Sequence, residues 1–297
     1  MLSVFPPGST NIPALDAHLF SESIHTHMSP ESSLNWGDVI EIQGPAASGK
    51  SHLLYWLLIT CISQRSSGGW DKSAVLIDTD GTFNAHRLFR LLRSHLKSAS
   101  DDTVSNALRR LHVFSPQSST QLIACLAHLS AYHETKLSGE EIGILAVDSI
   151  SAFYWPDRFT VEQMRSVGDR AYANPLQSVL VMLRRFQSSH RPVIFLTNWG
   201  LHPLPNSPFF KQHLHPFPSP FAQASAEKLS LTHHITLSLT ADKDRAQESE
   251  LAEETEEEKP PSDRETCTRL VGLVRTPGRQ RVSRFSLCIF SDHIVAG

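Results

Sequence analysis

The stretch Gly44-Pro45-Ala46-Ala47-Ser48-Gly49-Lys50-Ser51 limits what this chain can fold into more than any other. Its spacing, G-x-x-x-x-G-K-[ST], is that of a phosphate-binding loop. Glycine lets a backbone approach phosphate oxygens with no Cβ in the way. Converging N–H groups and the positive end of the following helix then hold the anion. Lys50 supplies a charge for the outer phosphates, and the Ser51 hydroxyl a ligand for Mg²⁺. Val39-Ile40-Glu41-Ile42 reads as a strand entering the loop. Leu53 to Ile62 reads as the helix leaving it, with Leu54, Leu57, Leu58 and Cys61 on one face. The competing reading is a Gly/Ser surface loop that binds nothing, and both flanks argue against it.

The rest of the chain supplies the sheet such a loop needs. Ala74-Val75-Leu76-Ile77-Asp78, Leu111-His112-Val113-Phe114, Ile142 to Asp148 and Val193 to Asn198 read as strands. Between them, helical stripes run over about 84–97, after Asp101-Asp102, over 118–133 and over 176–188. The run Ile142-Gly143-Ile144-Leu145-Ala146-Val147 is continuously apolar, which suits a parallel strand covered on both faces. Alternating strands and helices predict a three-layer α/β fold. Residues 230–239 alternate as a half-exposed strand, with Leu231, His233, Ile235, Leu237 and Leu239 on one face. Thr268 to Arg275 and Phe285 to Val295, about a turn at Pro277-Gly278, read as an antiparallel edge.

Three stretches read differently. Residues 1–12 are rich in Pro, Gly, Ser and Thr and are expected to be disordered; 13–28 form a weak helix, capping the core or docking on a partner. Residues 199–221 are crowded with Pro, Phe and His and read as a loop. The acidic, polar stretch 242–265 reads as a disordered insertion. The expected organisation is therefore a tail and helix over 1–33 and one core over 34–297, containing loop 199–225 and that insertion.

Composition narrows the partners. The chain has 297 residues, 40% hydrophobic and 19% charged, which is globular. A net charge of −3 gives no general pull on nucleic acid, so any DNA contact must be local. Cys61, Cys125, Cys267 and Cys288 form no C-x-x-C pair and read as buried apolar residues of a reducing compartment. The N-terminus lacks a secretory pattern, and the helix after the phosphate loop is too short to span a bilayer. A soluble, intracellular protein is expected, with no membrane partner. The 16 histidines lack metal-ligand spacing and read as solvated or core residues.

Two acids complete the chemistry. A phosphate loop needs an acid at the end of a neighbouring strand for the metal's water shell, and Asp148 is placed for it. Hydrolysis also needs a carboxylate to position or deprotonate water. Asp78 and Asp80 both end the second strand; Asp80, at the loop's edge, is the better candidate, and an ordinary Asp-Gly turn is the alternative.

Gly44 to Ser51, Asp78-Thr79-Asp80-Gly81-Thr82-Phe83, Ile144 to Ser149 and Thr197-Asn198 together resemble, in order, the ATPase core of the RecA-like recombinases. The likeness runs from about Leu34 to the C-terminus. It is strongest to the eukaryotic recombinase paralogues over Asp148-Ser149-Ile150-Ser151-Ala152-Phe153-Tyr154-Trp155-Pro156-Asp157-Arg158. The resemblance implies a RecA-like P-loop NTPase core: a mostly parallel central sheet flanked by helices, with a C-terminal antiparallel edge. It implies ATP and Mg²⁺ as cofactors, other recombinase paralogues and single-stranded or branched DNA as partners, and a nuclear role in homologous recombination and double-strand-break repair. It places Arg87 near the adenine and Asn198 as a γ-phosphate sensor.

The chain also departs from the resemblance. Active recombinases carry Glu where Asp80 stands, and Gln where Trp199 stands. Slow or absent hydrolysis with retained binding is therefore expected, with Asp80 and Lys50 as the catalytic residues. Loop aromatics Phe209, Phe210, Phe217 and Phe221 can stack on bases or serve as a docking surface, and docking or disorder is preferred, because the loop carries one Lys. DNA-contact candidates are Arg158, Arg165 and Arg170 in the first loop and Arg269, Arg275, Arg279, Arg281 and Arg284 about the last hairpin. The alternative for the hairpin is edge-strand protection. The leading reading is an ATP-binding subunit of a repair assembly. A DNA-dependent ATPase that remodels strands itself, and a scaffold without nucleotide, are the alternatives.

Overall fold

The computed structural model of the protein describes residues 7–22, 32–97, 99–166, 174–218, 228–239 and 267–297. The expected insertion at 242–265 lies outside the described residues, as do Phe221 and Arg170.

The central strands alternate faces with period two, and both faces are apolar. Strands β1 (Val39–Gly44), β2 (Ser73–Asp78), β4 (Ile142–Asp148) and β5 (Val193–Trp199) are the middle of the sheet. On one face Ile40, Ile42, Leu76, Ile144, Ala146 and Phe195 pack against α2 (Lys50–Ile62), α3 (Ala85–His95) and α4 (Asp101–Arg109). On the other, Val39, Val75, Ile77, Leu145, Val147 and Ile194 pack against α5 (Ser119–Lys136) and α7 (Pro175–His190). Helix starts carry oxygen caps where the sequence offers them: Asn84 accepts from Arg87 N at 2.8 Å, and Asn174, ahead of Pro175, accepts from Leu176 N at 3.0 Å.

The remaining strands are β3 (Leu111–Phe114), β8 (His233–Leu239), β9 (Thr268–Arg275), β10 (Val282–Ile289) and β11 (Ile294–Ala296). The sheet order is β11-β10-β9-β8-β1-β5-β4-β2-β3. From β8 to β3 all pairings are parallel, and β9, β10 and β11 add an antiparallel edge. This is the three-layer α/β architecture that the sequence predicts.

Four expectations need correction, and one open alternative is resolved. Residues 7–12 are not loose. Ile12 is fully buried, and the indoles of Trp70 and Trp56 donate to Ser9 O and Thr10 O, each at 2.8 Å. Helix α1 (Pro13–Ser21) caps the core, burying Leu15 and Leu19. Strand β8 is not half-exposed: His233 to Leu237 are buried on both faces, Ile235 and Leu237 in the core on one and His234 against Glu41 and Phe209 on the other. The segment after β5 is more than a loop. It carries the short ladder β6 (His202–Pro203) to β7 (Phe210–Lys211), and it sends Leu214 and Phe217 into the core. Of the cysteines, Cys61 is buried but Cys267 is exposed.

Candidate functional site

The phosphate loop joins β1 to the N-terminus of α2. Gly49 takes a φ of +84°, in the left-handed region, and a Cβ there would lie 2.3 Å from Leu270. At Gly44 a Cβ would lie 2.4 Å from the Ser48 hydroxyl. The Gly44 Cβ would also lie 2.7 Å from Leu237 O, a backbone atom, so Gly44 is held to glycine by space and Gly49 by its backbone angle, as well as by the motif. The Ser48 hydroxyl is buried without a hydrogen-bond partner. Lys50 Nζ donates to the loop's own carbonyls, Gly44 O at 2.9 Å and Pro45 O at 2.7 Å. Burial lowers its pKa, against the pull of Asp148 and Asp80.

Asp148, at the end of β4, collects two hydroxyls. Its Oδ2 accepts from Ser51 Oγ at 2.8 Å, and its Oδ1 from Thr197 Oγ1 on β5. The turn after β2 is tied to the same point, with Thr79 N and Asp80 N donating to Asp148 O at 2.8 and 3.2 Å. Asp78 and Asp80 then part company. The Asp78 oxygens accept from Thr82 N and Phe83 N and close the turn. The Asp80 carboxyl faces the Asp148 and Lys50 charges. Partial burial raises its pKa, helped by Asp148 and Asp78 and opposed by a hydrogen bond from Ser149 and by Lys50. The structure thus brings Lys50, Ser51, Asp80 and Asp148 together.

Arg87 and Asn198 sit further out. The Arg87 guanidinium donates to Phe290 O, beyond β10, and contributes to lowering the His52 pKa, which burial lowers most. Asn198 is fully buried. Its Nδ2 donates to Glu41 Oε1 at 2.7 Å and Gln212 Oε1 at 3.1 Å, while its Oδ1 has no partner. Among the described residues no cluster of three His, Cys, Asp or Glu could hold a metal.

Sequence reasoning assigns no role to Glu41, Gln212 or His234. Glu41 is fully buried mid-strand and also accepts from Gln212 Nε2 and from His234 Nδ1, each at 2.9 Å. Its one local signal is an acid inside the apolar run Val39-Ile40-Glu41-Ile42.

The basic candidates split. Arg158 and Arg165 stand not in a loop but on α6 (Tyr154–Ser166), which leaves the carboxyl end of β4. Arg158 pairs with Glu162 at 2.9 Å, and its guanidinium carbon lies 5.6 Å from the Trp155 ring. Both arginines line a cleft of about 540 Å³ with Asn174, His213 and His215. Arg279 and Arg281 sit near Glu22 at the hairpin tip, beyond the amino end of β8, so at the opposite end of the parallel strands. Arg269 and Arg284 are exposed on β9 and β10. Arg275 is 6% exposed, with its guanidinium 3.9 Å from the Phe209 ring centre. Burial lowers its pKa to about 10, against the pull of Glu41. It belongs to the interior and is not a surface contact. Phe217 is buried in the core and offers neither a stacking nor a docking surface, while Phe209, half-buried, packs under Arg275. Among the described residues no helix is long and apolar enough to cross a membrane.

Known proteins resemble this chain in sequence. The family profile described as Rad51 matches residues 28–212, more than half of the chain. The DNA repair protein XRCC2 of Mus musculus is 31% identical over 194 residues, 65% of this chain and 64% of that protein. The XRCC2 homolog of Arabidopsis thaliana is 24% identical over 208 residues, 57% of this chain and 56% of that protein. The DNA repair protein RAD51 homolog 1 of Arabidopsis thaliana is 30% identical over 127 residues, 43% of this chain and 34% of that protein. The chain spans less than two thirds of the length of these relatives. With a phosphate loop and its strand-end acid on a largely parallel sheet, and with that profile match, the chain belongs to the Rad51 family, as an XRCC2-like RecA paralogue.

Proposed function

We propose that this chain acts in DNA repair by recombination as an ATP- and Mg²⁺-binding subunit of a multi-subunit assembly with other recombinase paralogues. The relatives named for DNA repair support the repair role. The observation that carries nucleotide binding is the Ser51–Asp148–Thr197 hydroxyl–carboxylate chain beside a glycine-built loop whose lysine rests on the loop's own carbonyls. These groups fit a phosphate chain with its cation. Lys50 can swing from neutral carbonyls to charged oxygens, the Ser48 hydroxyl lacks a partner, and Ser51 with Asp148 forms an all-oxygen donor set. When bound, Mg²⁺ neutralises phosphate charge and fixes phosphate geometry. Lys50 and the α2 N-terminus hold the anion, Asp148 orients Ser51, and Asp80 is the base available for water. In this reading nucleotide serves more as a gate or interface ligand than as fuel. The setting is the nucleus, with single-stranded or branched DNA as the shared substrate of the assembly.

The proton affinity of Asp80, raised first by partial burial and then by Asp148, favours a second reading, in which the chain is itself a DNA-dependent ATPase. The decisive experiment is titration of ATP with Mg²⁺ into the wild type and Lys50→Ala. Loss of charge-assisted hydrogen bonds should weaken binding about ten- to a hundredfold in the variant. Equal, negligible affinity in both proteins would leave the nucleotide-independent scaffold.

A further inference from the structure

Outside the phosphate site, the most demanding buried group is Glu41. It stands three residues before Gly44, in a strand hydrogen-bonded on both sides, and no part of it reaches water. An ionised carboxylate at such a depth survives only if its oxygens are saturated with donors. Glu41 has three: Asn198 Nδ2 and Gln212 Nε2 on Oε1, and His234 Nδ1 on Oε2. The far side of the His234 ring is fixed by Thr236 Oγ1 at 3.0 Å.

The donors come from different parts of the chain. His234 belongs to the neighbouring strand β8. Asn198 is the last but one residue of β5, immediately before the 199–218 segment, and Gln212 lies inside that segment. Gln212 has no further freedom, since its Oε1 accepts from Asn198 Nδ2 and from Leu214 N, both at 3.1 Å. Gly200 N donates to Gly44 O at 2.8 Å, so the start of the segment rests on the first residue of the phosphate loop. Elsewhere the segment touches the core through Leu214 and Phe217. Alongside, Gln43 is 1% exposed, pairs in register with Asn198, and has neither amide atom hydrogen-bonded; Asn198 Oδ1 is also without a partner. A polar layer with open valences can rearrange between hydrogen-bond patterns, unlike an apolar core.

We propose that Glu41 is a buried latch that holds the 199–218 segment onto the strand beneath the phosphate loop, with Gln212 as the segment's bolt. A carboxylate accepts from all three donors at once. An amide at position 41 would lose the charge and would keep both sides only if His234 changed tautomer, Nδ1 then accepting and Nε2 donating to Thr236 Oγ1. The latch places the segment's closed and released states under the control of β1, whose last residue begins the phosphate loop. Only this link to the phosphate loop rests on the nucleotide reading above; the latch itself does not.

The test is amide hydrogen exchange of the full chain without nucleotide, so that a failed ATP titration leaves it untouched. In Gln212→Ala, protection of amides in 200–218 should fall about tenfold or more, while β4 amides hold within about threefold, a local opening. Glu41→Ala, which removes the acceptor of all three donors, should release the same amides by as much or more. Gln212→Ala lies on the rim and does not depend on the core variant folding. Wild-type protection of 200–218 in Gln212→Ala would overturn the latch. So would a loss of protection spread equally over β4 and the segment, since that is general destabilisation.

Discussion

Asp78 and Asp80 show how two like residues, two positions apart, are given different work by their hydrogen bonds. Asp78 closes its own turn through Thr82 N and Phe83 N, while Asp80 stays beside Lys50 and Asp148. Relative to the glutamate implied by the resemblance, Asp80 is short by one methylene, about 1.5 Å of reach. A misplacement near 1 Å costs about a hundredfold in rate. Asp80→Glu should therefore raise ATP turnover by roughly that factor, measured as phosphate release at saturating nucleotide; unchanged turnover would put the limit elsewhere. The pH profile carries a second signature. Partial burial, Asp148 and Asp78 hold the proton on Asp80 to higher pH than on a free aspartate, whose pKa is 3.8. The base-competent carboxylate accumulates only above that value, so the acid limb of turnover should lie above pH 3.8. Asp80→Asn should abolish the limb along with the turnover.

At the scale of elements, the antiparallel edge depends on a glycine. Gly272 on β9 faces Phe285 on β10 in register, and a Cβ on it would lie 2.1 Å from the phenyl ring. The ring covers the bare backbone, and an added methyl forces it aside. Gly272→Ala should destabilise the protein by about 1–3 kcal/mol, read as a lower denaturation midpoint with an unchanged m-value. The parallel strands were legible because burial on both faces leaves unbroken apolar runs, as from Ile144 to Val147. Helix α6 was not, because it buries only Tyr154 and Val161 and exposes Trp155 and Phe159. Neither was the packing of Leu214 and Phe217, which follows no periodicity. The phosphate loop was legible because one local spacing encodes it. The Glu41 cluster joins residues 157 to 193 positions apart, which no local pattern records.

Across the whole molecule, the sheet sorts charge by its two ends. A net charge of −3 gives no general attraction to DNA, so the DNA contact proposed above would have to come from one locally basic end. The carboxyl end carries the phosphate loop and α6, where Arg158 and Arg165 flank a cleft and Trp155 and Phe159 are 43% and 62% exposed. Exposed rings beside arginines are what single strands use for stacking and phosphate contact. The other end holds Arg279 and Arg281, each 3.9 Å from Glu22; Arg158 is likewise paired, with Glu162 at 2.9 Å, so the exposed rings beside the arginines, and not their charge alone, distinguish the carboxyl end. Each phosphate contact on a single strand contributes about 0.7 to the slope of log affinity against log salt. Replacing Arg158 and Arg165 together by Ala should therefore lower that slope by about 1.4 and weaken binding at low salt most. Replacing Arg279 and Arg281 should leave it unchanged. The measurement is fluorescence anisotropy of labelled single-stranded DNA across a salt series, with the chain in its assembly. The opposite pattern would move DNA to the hairpin and separate it from the phosphate loop by the full height of the sheet. Nucleotide could then influence DNA only through the strands themselves.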